Sequence, residues 1–484
     1  MLRKILFAIG LSFVVLTLHA QTFNILDYGA KNDTNILSTN AFNKAIDACN
    51  KMGGGSVIVP AGIYKSGTIY LKSNVDLHFE QGATLYASVD SKDFPGPAKT
   101  SYNSYQDLYG WCSLIFAEGA SNISITGFGI IDGNGGRQRP DPKTFPKGVR
   151  DGRPRNLLFI SCKNVTVDGV SLTHAGFWNQ HYYDCEDVMV NNIKVFNHGS
   201  KNNDGLDIDG CRRFVLSNSI IDSDDDGIVI KSSSTGASED ITVTNCIVSS
   251  FANAIKCGTE STGGFRNINI SNCVIKPSRS TSKPAFKTPR HGITGISLEM
   301  VDGGIMNGVS INNMLIQGTD CALYVRLGTR NRKHASAAPD PANGQMRNVQ
   351  LSNILAYNTG NYSSSITGVP DARIENIYLS NIRIFNQGDL KPGEYISDME
   401  KVKEFENGYP QPTVWGNLPC YGLFIRHVKD IDIINCTLKS EHPDPRPAVI
   451  AVDVDNLVVD RLQTDKANAR KALIMKHVKK SKVN

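Results

Sequence analysis

Beyond residue 18 the sequence has no apolar run long enough to cross a bilayer, which argues against a protein built on membrane-spanning helices. The single apolar stretch, Ile5 to Leu18, is too short for a comfortable span and has the surroundings of an export signal. Arg3 and Lys4 precede it, and His19-Ala20 before Gln21 places a small residue at the cut. Residues 1–20 are therefore expected to be a signal peptide, and the mature chain a soluble, secreted or periplasmic protein. No cysteine directly follows the cut, which argues against a lipid anchor of the bacterial lipoprotein kind. No two cysteines stand at C-x-x-C spacing, so the usual zinc motifs are missing. Strong charge is missing too: the formal net charge is +5, and Arg3 and Lys4 supply two of those charges. A near-neutral body argues against nucleic acid as the main partner, and the basic stretch Lys466 to Lys482 reads as a solvated tail or cap.

What the sequence does have is repetition at roughly 20 to 35 residues. The phrases NLLFISCKNVTVDGVSL (from Asn156), GLDIDGCRRFVLSNSII (from Gly205), FRNINISNCVI (from Phe265), MRNVQLSNILA (from Met346) and VKDIDIINCTL (from Val428) share one pattern. Each has two short β-branched stretches with alternation of period two, separated by Asn, Asp or Gly. Asn tolerates the left-handed backbone of tight corners and can ladder from one repeat to the next. A unit this small cannot bury its own apolar face, so neighbours must stack edge to edge. The expected fold is all-β: a single-domain right-handed parallel β-helix over residues 21–484, with a capping region at about 21–56 and a basic tail at about 466–484. Thr39–Lys51 reads as an amphipathic helix with Ala41, Phe42, Ala45, Ile46 and Cys49 on one face, placed to cap the open first coil. The less regular stretches 93–112, 138–155, 329–343 and 386–419 should project as loops. Eleven cysteines in an exported chain allow a disulfide framework with one thiol left over. Cys162, Cys185, Cys211, Cys246 and Cys273 recur at one place in the repeat, however, which favours small apolar residues stacked inside the coil.

Two aspartate clusters follow each other by one coil: Asn202-Asn203-Asp204-Gly205-Leu206-Asp207, then Asp224-Asp225-Asp226-Gly227-Ile228. Superposing Gly205 on Gly227 puts Leu206 and Ile228 inside, and Asp204 beside Asp226. Adjacent coils lie about 4.8 Å apart, so Asp204, Asp207, Asp225 and Asp226 should share one patch. Crowding raises some carboxyl pKa values, and glycoside hydrolysis needs one protonated and one ionised carboxyl. A run of Asp at turns, of the kind that holds Ca²⁺, is the alternative for Asp225-Asp226 alone; Asp204 one coil earlier favours catalysis.

Asn-x-Asp-Gly-x-Asp, followed 21 residues on by Asp-Asp-x-Ile-x-Ile-Lys, resembles the polygalacturonase family of pectin hydrolases, glycoside hydrolase family 28. Asp27-Tyr28-Gly29-Ala30, Gly53-Gly54-Gly55, Val59-Pro60-Ala61-Gly62 and the stretch Gly127 to Gly133 extend that resemblance over most of the mature chain. It implies an inverting hydrolase in which Asp204, Asp225 and Asp226 act together, with Asp226 protonating the glycosidic oxygen and the other two activating water. The implied partner is a pectic polysaccharide or oligosaccharide, polygalacturonan or rhamnogalacturonan. Neither nucleic acid, membrane, metal nor cofactor is expected, and the chain should be a monomer.

The sequence also departs from the family, whose Asp pair is followed by Gly-His-Gly on the next coil and later by Arg-Ile-Lys. Here those coils read Asn253-Ala254-Ile255-Lys256 and Gly295-Ile296-Ser297-Leu298-Glu299. His291 lies nearby but out of phase. The losses favour a specialised member acting on rhamnogalacturonan or another decorated pectic chain. Candidate replacements follow from phasing. Lys256, in the outward column of Asp207, would grip a sugar carboxylate, tune the aspartates, or simply pair with Asp207 at the surface. Arg326, on a later coil, is a second carboxylate ligand or a structural ion pair. Trp178, beside Asp204, would stack on a sugar ring or pack in the core, and His181, beside Asp207, would bind a hydroxyl or sit satisfied at the surface. The competing classes are a polysaccharide lyase on the same coil and a non-catalytic glycan-binding β-helix. The loops near Gln138 and Asn386 would, by closing one end of a cleft, impose attack from the chain end.

Overall fold

The computed structural model describes residues 21–95, 112–137, 153–280, 292–465 and 472–484. The expected signal segment, His291 and most of the 93–112 and 138–155 stretches lie outside these residues. Thirty-five strands among the described residues join one sheet, every strand-to-strand pairing in it parallel to the next coil. The architecture is the right-handed parallel β-helix.

Each early coil has three strands. Leu206–Asp209, Arg212–Ser217 and Ile220–Ser223 pair in turn with Ile228–Ser232, Ser238–Thr244 and Ile247–Ser250. Farther on two strands merge, and Phe265–Ile275 pairs with both Ser238–Thr244 and Ile247–Ser250. The period-two alternation becomes a stack of inward residues: Val188, Phe214, Ile241, Ile268, Val309 and Val349 occupy one column through successive coils. All are at most 2% exposed, so the core is one continuous apolar rod.

The recurring asparagines explain themselves at the corners. Asn122, Asn164, Asn245 and Asn272 have φ between 52° and 57°, a left-handed conformation most side chains avoid. Their amides also ladder along the axis, Asn164 to Asn122 at 2.9 Å and Asn122 to Asn74 at 2.9 Å. All eleven cysteines are buried free thiols, in agreement with the stacking reading and not with a disulfide framework.

The helix Thr39–Lys51 forms as expected, with Ala41, Phe42, Ala45, Ile46 and Cys49 buried. It closes the coil end partly by side chains that meet the backbone of the coil: Asn43 donates to Thr68 O and accepts from Tyr70 N, and Asn50 donates to Ser73 O. Phe42, fully buried and edge-on to Tyr64 at 6.3 Å, carries the packing. Phe42→Ala is expected to cost about 3–5 kcal/mol. A urea titration reads this as a lower midpoint at unchanged slope.

The segment 387–422 contains no strand, as expected, but it does not project freely. Val402, Trp415, Leu418 and Cys420 form a second apolar cluster with Cys321, Tyr324, Phe424 and Ile450, whose side chains point out of the coil. The basic C-terminal stretch is ordered from Leu473 to Val483 as a strand pairing with Val449–Asp460. Among the described residues no helix is long and apolar enough to cross a membrane.

Candidate active site

The aspartate face is built by first strands of successive coils: Gln180–Tyr183, Leu206–Asp209, Ile228–Ser232, Asn253–Ser261 and Gly292–Met300. Their register matches the phasing read from sequence. Leu206 pairs with Ile228 and Ile208 with Ile230, while Asp207, Val229 and Lys256 share the outward column. Gly205 and Gly227 are needed for close approach, because a Cβ on Gly205 would lie 2.6 Å from Gly227 O and one on Gly227 2.4 Å from Ala254 O. The turns ahead of these glycines carry the acids. Asn197 and Asn203 fix the first, Asn197 donating to Asp204 O at 2.8 Å and Asn203 to Ala175 O at 2.8 Å. Ser223 Oγ fixes the second by donating to the carbonyls of Asp225 and Asp226 at 2.8 and 3.0 Å.

Two buried lysines hold the carboxylates together. Lys231 Nζ lies 3.4 Å from Asp207, 3.9 Å from Asp204 and 3.3 Å from Glu260, with the Trp178 ring 4.5 Å away. Lys256 Nζ lies 2.9 Å from Asp226 Oδ2 and 3.8 Å from Glu299, and donates to Tyr409 Oη at 3.3 Å. Asn253 donates to Asp226 Oδ1 at 2.6 Å, at the place where the family's histidine was missed. Burial disfavours both ammonium groups, but the opposing carboxylates outweigh it, and their pKa values lie well above the ordinary lysine value.

These contacts split the aspartates electrostatically. Burial pushes Asp226 up, but Lys256, Lys231 and the Asn253 hydrogen bond outweigh it and hold its carboxyl below the usual range. Asp225 is pushed up to about 7 by burial and by the charge on Asp226. Asp204 is raised well above the ordinary value by burial and by Asp207 and Asp225. Asp225 is also the least buried of the four, whereas Asp204 and Asp226 are 4% and 5% exposed. The patch thus holds a firmly ionised carboxylate next to a protonatable one that solvent reaches.

Several sequence expectations need correction here. Asp207 is fully buried, away from the surface a sugar would meet, and is a counter-charge of Lys231 at 3.4 Å. His181 is neither at the surface nor a hydroxyl ligand. It is fully buried, lies 3.2 Å from Asp209, sits edge-on to Trp178, and is driven by burial down to about 4, hence neutral. Trp178 is 5% exposed, stacked on Phe177 at 4.8 Å with the Arg155 guanidinium over its ring, so packing is its role. Arg326 donates to the carbonyls of Gly368, Glu404 and Phe405 and anchors the 387–422 segment instead of facing a ligand. Lys256 is not a surface lysine paired with Asp207; its partner is Asp226. Lys231 stood inside the motif without a role. Glu299 and Glu260 gave no sequence signal, because their importance depends on which lysine each meets. Tyr409, 153 residues from Lys256, arrives on a loop whose path no repeat phasing shows.

The glycosyl hydrolases family 28 model matches residues 49–281. An exo-poly-alpha-D-galacturonosidase of Dickeya chrysanthemi is 30% identical over 251 residues, 43% of this chain and 41% of that protein. A probable polygalacturonase of Vitis vinifera is 28% identical over 234 residues, 46% of this chain and 47% of its own. The chain thus spans about half the length of the curated relatives it matches. Among solved structures, the exopolygalacturonase of Thermotoga maritima superposes with a TM-score of 0.62 at 23% identity, covering 76% of this chain and 87% of that one. The family 28 exopolygalacturonase of Yersinia enterocolitica gives 0.66 at 19%, covering 96% and 79%. The structural likeness carries the fold, and residues 49–281 carry the likeness to glycosyl hydrolases family 28.

Proposed function

We propose that the chain is an exported glycoside hydrolase that cleaves a galacturonate-containing pectic polysaccharide or oligosaccharide with inversion. The observation that carries this is the Asp226 carboxylate bound by Lys256 at 2.9 Å and Asn253 at 2.6 Å directly beside Asp225, whose carboxyl burial and that charge push up. Their polarity supports exchanging the roles that the resemblance implied. Asp225 gives its proton to the glycosidic oxygen as the bond to the anomeric carbon breaks. Asp226, with Asp204 beside it, takes a proton from the water that attacks the opposite face. The near-neutral charge and the signal-like first twenty residues support an exported monomer without nucleic-acid or membrane partners.

Two features bear on substrate. Ser297 and Glu299 stand where the family carries Arg and Lys, and Ser297 donates to Glu299 at 2.5 Å, so the carboxylate-gripping pair is replaced by an acid. This supports a rhamnogalacturonan or otherwise decorated chain over plain polygalacturonan. The 387–422 segment, pinned by Arg326 and bringing Tyr409 to Lys256, supports attack from a chain end, the mode named for the Dickeya, Thermotoga and Yersinia proteins. Reducing-sugar release from polygalacturonan and rhamnogalacturonan tests this, with product size and ultraviolet absorbance followed together. Small products only, with no rise in absorbance, are expected. Unsaturated products would make it a lyase, and no release from any pectic chain would overturn the substrate class.

Lys256→Met tests the electrostatics. Without the ammonium group the Asp226 carboxyl rises, so the acid limb of kcat/KM should move to higher pH. An unmoved acid limb would deny Lys256 its part in holding Asp226 ionised.

A further inference from the structure

Outside the aspartate face, one buried cluster of titratable groups adjoins the turn that carries Asp225 and Asp226. His198, 3% exposed, follows the strand Lys194–Asn197 and lies between two carboxylates of the next coil. Its Nε2 is 3.0 Å from Asp222 Oδ1 and its Nδ1 3.7 Å from Asp224 Oδ1. Asp222 and Asp224 are 1% and 9% exposed.

The two aspartates are supported unequally. Asp222 also accepts from Ser278 Oγ at 2.5 Å and from Arg279 N at 3.0 Å, with Arg279 Nε at 3.5 Å. Asp224 Oδ1 has no hydrogen-bond partner, and among the described residues His198 is the one cation within 4 Å of its carboxylate. The ring is walled by Phe196, with centroids 4.5 Å apart, and by Phe251 at 5.9 Å. Asp224 is the first residue of the turn. Its backbone is tied to the preceding coil through Asn197 O at 3.0 Å, and the Asp225 carbonyl is tied to the following coil through Ser250 Oγ at 2.6 Å. The side chain of Asp224 thus faces the imidazole Nδ1 as an ion pair at 3.7 Å, neither atom having a hydrogen-bond partner, while the backbone is held by both neighbouring coils.

We propose that His198 is a positioning residue whose imidazolium, clamped between Asp222 and Asp224, fixes the turn that presents Asp225 and Asp226 to the substrate. This rests on the hydrolase reading for its consequence but not for its existence. Burial disfavours the charged ring, yet Asp222 and Asp224 outweigh it and the pKa of His198 is raised; Asp222 is correspondingly lowered, its own burial being outweighed by His198, Ser278 and Arg279. Neutralising the ring leaves the buried Asp224 carboxylate without that counter-charge, and the turn relaxes. Sub-ångström displacement of catalytic groups is enough to lower kcat without preventing binding.

The sign of the linkage follows. A raised pKa in the folded state makes the clamp's contribution fully present below the unfolded histidine value, about 6.5, and lost as pH rises through the raised value. The melting-temperature gap between wild type and His198→Gln should therefore be widest near pH 5 and close towards alkaline pH. On the pectic chain the wild type cleaves, His198→Gln should lower kcat about 10- to 100-fold with KM within about threefold. The double variant His198→Gln/Asp224→Asn should regain part of that loss, because the orphaned carboxylate is gone. A gap in melting temperature that does not vary with pH would overturn the clamp. A kcat equal to wild type, or a double variant no better than the single, would overturn its catalytic part. If the wild type cleaves no pectic chain, the functional reading falls, while the pH dependence of melting still decides whether the imidazolium clamp exists.

Discussion

Asp226→Asn should lower kcat by at least about 10²–10⁴-fold while KM changes only a few-fold, and Asp225→Asn should do the same on natural substrate. The two variants should part on an activated substrate. A glycoside with a good leaving group, such as a nitrophenyl galacturonide, departs without a proton from the enzyme. Loss of the general acid is then largely bypassed, whereas loss of the base is not. With Asp225 as acid and Asp226 as base, Asp225→Asn regains most of its rate on the nitrophenyl substrate and Asp226→Asn does not. The opposite outcome would restore Asp226 as the acid. Wild-type kcat/KM should be bell-shaped, its alkaline limb near the value of about 7 to which Asp225 is pushed, because only the protonated form donates. Its acid limb should lie below the ordinary carboxylate range, because Asp226 stays ionised beside Lys256 and Asn253.

Arg446→Leu is expected to destabilise the fold by about 3–5 kcal/mol, the cost of removing one partner of a buried ion pair. Both side chains of the Arg446–Asp444 pair are 0% exposed, joined at 3.0 Å through Nε and 2.8 Å through Nη2. Arg446 also donates to Leu418 O at 3.1 Å and Asn361 O at 3.4 Å, tying the end of the 387–422 segment to the coil. The substitution therefore leaves a desolvated carboxylate and two carbonyls without this donor. The double variant Arg446→Leu/Asp444→Leu should lose much less, since the buried carboxylate goes together with its guanidinium. Denaturant midpoints read both. An Arg446→Leu midpoint within error of wild type would show that Asp444 finds other support.

The β-helix, its inward columns, the asparagine corners, the cysteine stack and the capping face of Thr39–Lys51 were legible because each is a local or periodic property. Alternation tells which side of the strand a residue occupies, and the repeat tells which residue lies one coil away. The same phasing is what brings Asp204, Asp207, Asp225 and Asp226 to adjacent coils. It stops at the Cβ. Lys256 is in the column of Asp207, yet its four-carbon stem carries the ammonium group to Asp226, and Lys231 from the neighbouring column reaches Asp207 instead. Side-chain reach, and with it which carboxyl is ionised, belongs to the tertiary structure.

So does the difference between outward and exposed. His181, Trp178 and Arg326 all point out of the coil, as phasing required. They are buried because aromatic rings, arginines and the returning 387–422 segment cover that face. The sequence by itself determined the repeat, the register and the identity of the acidic patch, since those depend on spacing along the chain. Only the tertiary structure decided which acid keeps its proton, which cations are already taken, and which outward residues meet solvent. Those depend on long side chains and non-repetitive loops, whose positions are set by contacts between residues far apart in sequence.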